Sequence, residues 1–402
     1  MKPLWVWIRS GWAIVIGLVV LGAVANSVVF VHDWHLEADW GLRLTSSTVA
    51  FVSPMVAAAA AYETSKRHHP TFAAFADAGT RRVLTHVLPA ISVLVTAAVA
   101  YLIVWMGVLA TTAASGGIGV TDLWVFPETL LPVIAAAFLG CLVGHWIAGM
   151  AAPIAAALLV LVAAIAASPW GKGPFEAVTT YGTLTGLERP PAQAAAVVLA
   201  SIASVAICTV GVAQRVRGVA LRWVQAAVAG SLVAVSIVPV AWPWSDQVFR
   251  PSTEAIECVG SAPALCGPRS RVPLLAMAQP DFQRAYERLA GTEFTRPTRF
   301  TVTRLNAYTR LDGAAPLDFD PGALTDLGYP TFNIVSALLR PHECRGLFDA
   351  QASVPILEAQ AHVDPWLTGV VEGRRSPTPV PEDIEKAFTV ITDCEVFTGE
   401  WK

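Results

Sequence analysis

Seven runs of about twenty apolar residues dominate the first 244 positions of this 402-residue chain. Such a run crosses the ~30 Å hydrocarbon core of a bilayer as a helix, because a helix satisfies its backbone donors and acceptors within its own segment. The runs lie near 11–31 (GWAIVIGLVVLGAVANSVVFV), 45–62 and 87–111. An almost unbroken apolar stretch from 129 to 168 is too long for one crossing. GMAAP at 149–153 supplies a bend, which predicts a tight helical pair. Runs near 193–214 and 223–244 complete the set. The first run reads as an anchor, since its small residues are not followed by a soluble stretch as after a cleaved leader.

Beyond residue 244 the chain changes character. Residues 1–244 hold 12 Lys/Arg and 9 Asp/Glu, whereas 245–402 hold 15 and 21. The second part has the charge density of a soluble domain of ordinary size, and the first that of a membrane domain. No basic tract points to nucleic acid. The reading is an α-helical polytopic membrane protein carrying a small disulfide-bonded α/β extracytoplasmic domain.

Its orientation follows from the bias of Lys and Arg toward cytoplasmic loops. With the N terminus inside, Lys2, Arg9, Lys66, Arg67, Arg81, Arg82, Arg215, Arg217 and Arg222 are cytoplasmic. Only Arg43, Lys172 and Arg189 fall outside. Seven crossings then put residues 245–402 outside the cell membrane.

The cysteines agree with that placement. Cys141 and Cys208 sit in apolar runs as small buried hydrophobes, while Cys258, Cys266, Cys344 and Cys394 belong to the outer part. Four cysteines in an oxidising compartment favour disulfides, in one of three connectivities. The short spacing around SAPAL favours Cys258–Cys266 and leaves Cys344–Cys394. Loop-closure entropy is worth about 2.5 kcal/mol for the short ring and about 4 for the long one. Four cysteines can also hold zinc, but no C-x-x-C spacing is present.

A search for catalytic motifs yields no enzyme. There is no phosphate-binding G-x-x-x-x-G-K-[ST], no H-E-x-x-H and no G-x-S-x-G, and no cofactor or metal is implied. LDFDPGALTDLG (317–328) lacks the final Glu of a calcium loop and reads as a turn held by Asp and Pro-Gly. HDWHLEADW (32–40) sets His32, His35 and Asp39 on one helical face, a weak metal site or an interfacial segment with Trp34 and Trp40 at headgroup level. His145, inside a run, is a functional candidate or a side chain snorkelling to the nearby cytoplasmic face. In the outer part, 280–294, 331–340 and 381–397 read as helices, 299–308 as a strand and 372–381 as an exposed linker.

The loop YETSKRHHPTFAAFADAGTRRVLTHVLPA (62–90) carries a short apolar stripe at Phe72, Phe75 and Ala76, broken by Gly79-Thr80, with Arg81-Arg82 opening the next run. On the residues alone it is either a basic amphipathic helix on anionic lipid or a docking element for a cytoplasmic partner.

An N-in start, an amphipathic cytoplasmic segment after the second span and the G-[ST]-R-R-x-L turn (Gly79, Thr80, Arg81, Arg82, Leu84) resemble the membrane subunit of an ABC-2-type transporter. The resemblance covers about residues 1–220. It implies a six-helix bundle over 1–222, followed here by a seventh span at 223–244 and the outer domain at 245–402. It further implies a separate cytoplasmic ATP-binding subunit docking on Phe72, Phe75, Thr80, Arg81 and Arg82, and a homodimer or a pairing with a second permease in the lipid bilayer. The extra span and outer domain are similar to actinobacterial permease-like variants with a C-x(7)-C pair followed by Pro and Arg, here Cys258, Cys266, Pro268 and Arg269. The expected function is export of an apolar or amphipathic compound or lipid. The alternative is a membrane-anchored sensor that captures a ligand through its outer domain and moves nothing.

Overall fold

The computed structural model describes residues 12–31, 33–66, 82–167, 187–188, 191–216, 250–251, 253–295, 297–302, 314–317, 319–324, 331–339 and 350–393. The helical part comprises α1 (Ala13–Val29), α2 (Ala38–Ser47), α3 (Val49–Ser65), α4 (Arg82–Ala114), α5 (Val125–Trp146), α6 (Ala151–Ala167) and α7 (Pro191–Val216). Within α4, α5 and α7 lie the three segments long and apolar enough to cross a membrane, and α2 with α3, bent by 46°, forms a fourth such unit. The runs at 11–31 and in the second half of 129–168 yield helices of 17 residues, and the run at 223–244 lies outside the described residues. The predicted helical pair is present: α5 and α6 are separated by four residues, with Gly149 at φ 68°.

Helix packing here depends on small side chains. Gly140 and Gly144 of α5 lie one turn apart on the face that meets α3. A Cβ at Gly140 would stand 2.1 Å from the Ala57 carbonyl oxygen, and one at Gly144 would stand 2.4 Å from that of Ala61. Without a water-driven hydrophobic force between helices in lipid, such close backbone approach is what holds a pair together. The outer surface of the bundle presents Leu18, Phe51, Met106, Leu158 and Ile202, all at least half exposed.

The remaining described chain is an α/β unit. Its sheet has the order β3-β4-β5-β6, built from β3 (Ile256–Val259), β4 (Ala264–Pro268), β5 (Arg299–Val302) and β6 (Ala315–Leu317). β3 and β4 are antiparallel, and the other two pairings are parallel. Packed on it are α8 (Val272–Arg288), α9 (Phe332–Leu338), α10 (Ala350–Val371) and α11 (Glu382–Asp393). α8 begins eight residues before the predicted 280, because Pro273 is tolerated in a first helical turn and Leu274, Leu275 and Ala278 already face the core. The predicted strand at 299–308 is described only as far as Val302. Residues 372–381 form a tight, mostly exposed connection between the packed helices α10 and α11, so they link elements of one unit. A separate two-residue pairing joins β1 (Leu187–Glu188) to β2 (Arg250–Pro251).

Two residues of the helical part belong to the core of the α/β unit. Leu36 and Ile118 are buried among Leu265, Leu317 and Phe319 and their neighbours. They meet through the backbone, Ile118 N–H donating to the Leu36 carbonyl (2.9 Å) and Ala38 N–H to that of Ile118 (3.2 Å). Gly117 makes this possible, since a Cβ there would stand 2.5 Å from the Leu36 carbonyl oxygen.

Candidate functional site

Helix α2 is the unusual element. Its ten residues, ADWGLRLTSS, carry two charges and three hydroxyls, yet every one is buried. Desolvating such groups is costly unless each finds a partner, so the surroundings of α2 form a polar site by necessity.

At its N-terminal end the charges converge. Glu37, just before α2, is fully buried, and its Oε1 lies 2.9 Å from Nη1 of Arg271. Asp39 Oδ2 is 3.7 Å from Nη2 of the same guanidinium. Asp39 also accepts from the backbone N–H of Thr121 (3.1 Å), from that of Asp122 (3.3 Å) and from the Thr121 hydroxyl. Arg43, one turn further along α2, pairs with Asp122. Two guanidiniums thus face three carboxylates, with Glu37, Asp39, Arg43 and Arg271 buried and Asp122 partly exposed at the edge. Arg271 reaches it from a short 3-10 turn, Arg269–Arg271, between β4 and α8. Among the described residues it is the only member supplied by the α/β unit.

Further along α2 the charges give way to hydroxyls. Thr45 Oγ1 accepts the Trp105 indole N–H (2.7 Å), Ser46 Oγ meets Thr129 Oγ1 (2.6 Å), and Thr48 Oγ1 meets the Tyr101 hydroxyl (2.8 Å). Thr45, Ser46, Ser47 and Thr48 also donate to backbone carbonyls of α2 three or four residues earlier. Such back-bonding bends helices, and Thr48 is where the 46° bend separates α2 from α3. Tyr101 lies thirteen residues before the end of α4, about 20 Å at 1.5 Å per residue, so the bend sits near the middle of that helix.

A second buried group lies at the other end of the bundle. Glu63 accepts from the backbone N–H of Trp12 (2.9 Å) and pairs with Lys66 (2.8 Å), whose ammonium also stands over the Tyr62 ring. His145 packs inward there. Its Nε2 is 3.3 Å from the His86 carbonyl oxygen and the two rings are 5.0 Å apart, so the side chain turns into the bundle and does not snorkel outward. Cys141 donates to the same carbonyl.

The other predicted positions distribute as follows. Cys258 and Cys266 are directly opposed across β3 and β4 and joined, Sγ–Sγ 2.08 Å. Cys344 and Cys394 lie outside the described residues, as do Phe72, Phe75, Thr80 and Arg81. Arg82 opens α4. Trp34 and Trp40 are buried, not at a headgroup surface, and Trp34 donates to the Val28 carbonyl. Of the predicted trio, His32 lies outside the described residues, His35 stacks edge-on against Trp34, and Asp39 serves Arg271 and Thr121. In the 317–328 segment Asp320 accepts from the Gly322 N–H (2.9 Å) and closes a turn. Arg269 is exposed, and the arginine that matters is Arg271, two residues on.

No family model matches the chain, no curated protein is similar to it, and no solved structure matches its fold.

Proposed function

We propose that the chain is the membrane subunit of an ABC-type exporter with a six-helix ABC-2-like bundle and a seventh span. In this reading it works as a dimer, ATP is hydrolysed by a separate cytoplasmic subunit, and the cargo is an apolar or amphipathic compound or lipid. The observation that carries the reading is the break at Thr48. A polar, bent helix near mid-bundle depth is stable only when enclosed by protein, and such interrupted helices mark paths through membranes.

The arrangement of connections fits a chain that crosses back and forth, and the reading with the N terminus inside rests on the Lys and Arg bias. The links after α1 and α4 touch the α/β unit through Glu37, Leu36 and Ile118, and Leu187–Glu188 pairs with Arg250–Pro251. The ends of α3 and α5 meet at the opposite pole, where Gly144 lies against Ala61 and Thr64. Alternate connections therefore fall on one side, as successive crossings require. A fluorescent reporter active only in the cytoplasm should stay dark at the C terminus and light up after Gln214.

The decisive experiment concerns the loop at 67–81. The protein is purified with its genomic neighbours, and ATPase recovery is compared for wild type and Phe75→Asp. A charge placed in an apolar docking contact costs several kcal/mol, enough to detach the partner. Equal recovery from both, or no ATPase with either, overturns the proposal. It would favour the sensor reading, which draws support from the ionic tie between Arg271 and α2.

A further inference from the structure

The disulfide is placed for exchange as well as for support. Cys266 is fully buried on β4, whereas Cys258 is exposed on β3, the edge strand of the sheet. Over the pair lies Arg299, the first residue of β5. Its Nε is 3.2 Å from Cys266 Sγ and its Nη2 is 3.4 Å from Cys258 Sγ. A guanidinium beside a sulfur stabilises the thiolate and makes it a better leaving group.

β3 and the two residues before it also hold the turn that delivers Arg271. The Ala255 carbonyl accepts from Arg269 N–H (3.0 Å), a Glu254 carboxylate oxygen accepts from Ser270 N–H (2.9 Å), and Glu257 pairs with Arg269 (3.5 Å). A continuous path therefore runs from the disulfide through the edge strand to the guanidinium that faces Glu37 and Asp39.

We infer that Cys258–Cys266 is a thiol-exchange site whose reduction loosens the turn carrying Arg271. A small external thiolate attacks the exposed Cys258 sulfur, forming a mixed disulfide there. The Cys258–Cys266 bond breaks, and its electron pair leaves on Cys266 as a thiolate held by Arg299. A second thiolate attacks the mixed disulfide, releasing the Cys258 thiolate and the oxidised small-molecule disulfide. Two protons from solvent complete the pair of thiols, and two electrons have moved from the external thiols to the protein. β3 then keeps its backbone pairing to β4, its contacts to the turn and the packing of Val259 against the core.

The test uses the full-length protein in detergent, with reduced glutathione as the first probe and dithiothreitol as the second. Glutathione under native conditions should give an adduct that peptide mass mapping finds on Cys258. Dithiothreitol should release the Cys258 and Cys266 thiols, followed by peptide mapping, without denaturant, about tenfold more slowly in Arg299→Gln and near the wild-type rate in Arg299→Lys. After reduction, the 254–271 segment should become cleavable by trypsin at Arg269 and Arg271, and in unreduced Arg271→Ala it should become cleavable at Arg269. An adduct on Cys266, reduction only after denaturation, or equal rates in wild type and Arg299→Gln would each overturn the inference. The adduct position is read in wild type, so it stands even where a variant folds poorly.

Discussion

The two cores of this protein are built from different residues. Between the helices the buried positions are mostly alanine and valine, with glycine where α3 meets α5. In the α/β unit they are mostly leucine, isoleucine and aromatics, with Phe294 stacked 4.0 Å from Phe388 and Phe282 against Phe300 at 5.7 Å. The contrast follows from what each core displaces. Water rewards burial of large apolar area, about 25 cal/mol per Å², so a domain folding in water gathers big side chains. Lipid offers no such reward, and helices in it associate by close approach and by satisfied polar groups. The buried polar groups divide accordingly: hydroxyls and charges crowd α2, while the α/β unit buries few.

The sharpest test of this contrast lies at the junction. Arg271→Ala leaves Glu37 and Asp39 buried without their cation, and the expected loss is ~3–5 kcal/mol. Thermal unfolding of the purified full-length protein reads it. Arg271→Met combined with Glu37→Leu should recover most of the loss, because a buried pair replaced by apolar residues is often neutral. An unchanged midpoint in Arg271→Ala would reduce the junction to surface contact.

Next comes the pair that probes each core on its own terms. Phe282→Ala should cost about 3–4 kcal/mol by opening a cavity in the α/β unit. Gly140→Ala adds a single methyl group but drives it against the Ala57 carbonyl, and should cost about 1–3 kcal/mol. Gly107→Ala is the control. Nothing lies within 4 Å of its Cβ position, so the helix should tolerate or slightly prefer alanine. Equal behaviour of the two glycines would remove close packing as the organising force between helices.

Smaller effects refine the polar side. Trp105→Phe removes the indole donor to Thr45 and should cost about 1 kcal/mol, with little effect on the α/β unit. In that unit the His362 side chain, 2.9 Å from Asp383, holds the Asp383 carboxyl below its ordinary value of 3.8. A carboxyl so lowered stabilises the fold above its unfolded pKa and loses that contribution as pH falls through the folded one. Acid titration of unfolding between pH 5 and 2 should therefore be slightly shallower in Asp383→Asn. Tyr286, whose phenol is pushed upward by burial and donates to the Pro297 carbonyl, stays protonated throughout.

These differences explain what the amino-acid sequence disclosed. A lipid-spanning helix must be apolar along its length, so α4, α5, α7 and the bend after Trp146 were readable as runs. The Cys258–Cys266 pairing followed from a short loop between two cysteines. α2 escaped because it is buried all round while polar, which erases the amphipathic period that marks a helix. Arg271 escaped because its partners lie more than 230 positions away. α10 was legible but overlooked: Ile356, Ala359, Val363, Trp366, Leu367 and Val370 recur at helical spacing and are all buried. The same holds for Gly140 and Gly144 opposite Ala57 and Ala61, a four-residue spacing of small residues on both helices.

Leu36 and Ile118 have a consequence for how the protein is made. The ribosome delivers them long before residue 253, the first of the α/β unit's continuous stretch. When that unit emerges, two pieces of its core and both counter-charges of Arg271 already stand assembled on the helices. The helical part is then a template on which the α/β unit completes itself. A fragment made without it would start folding with a hole in its core and an arginine with nothing to face.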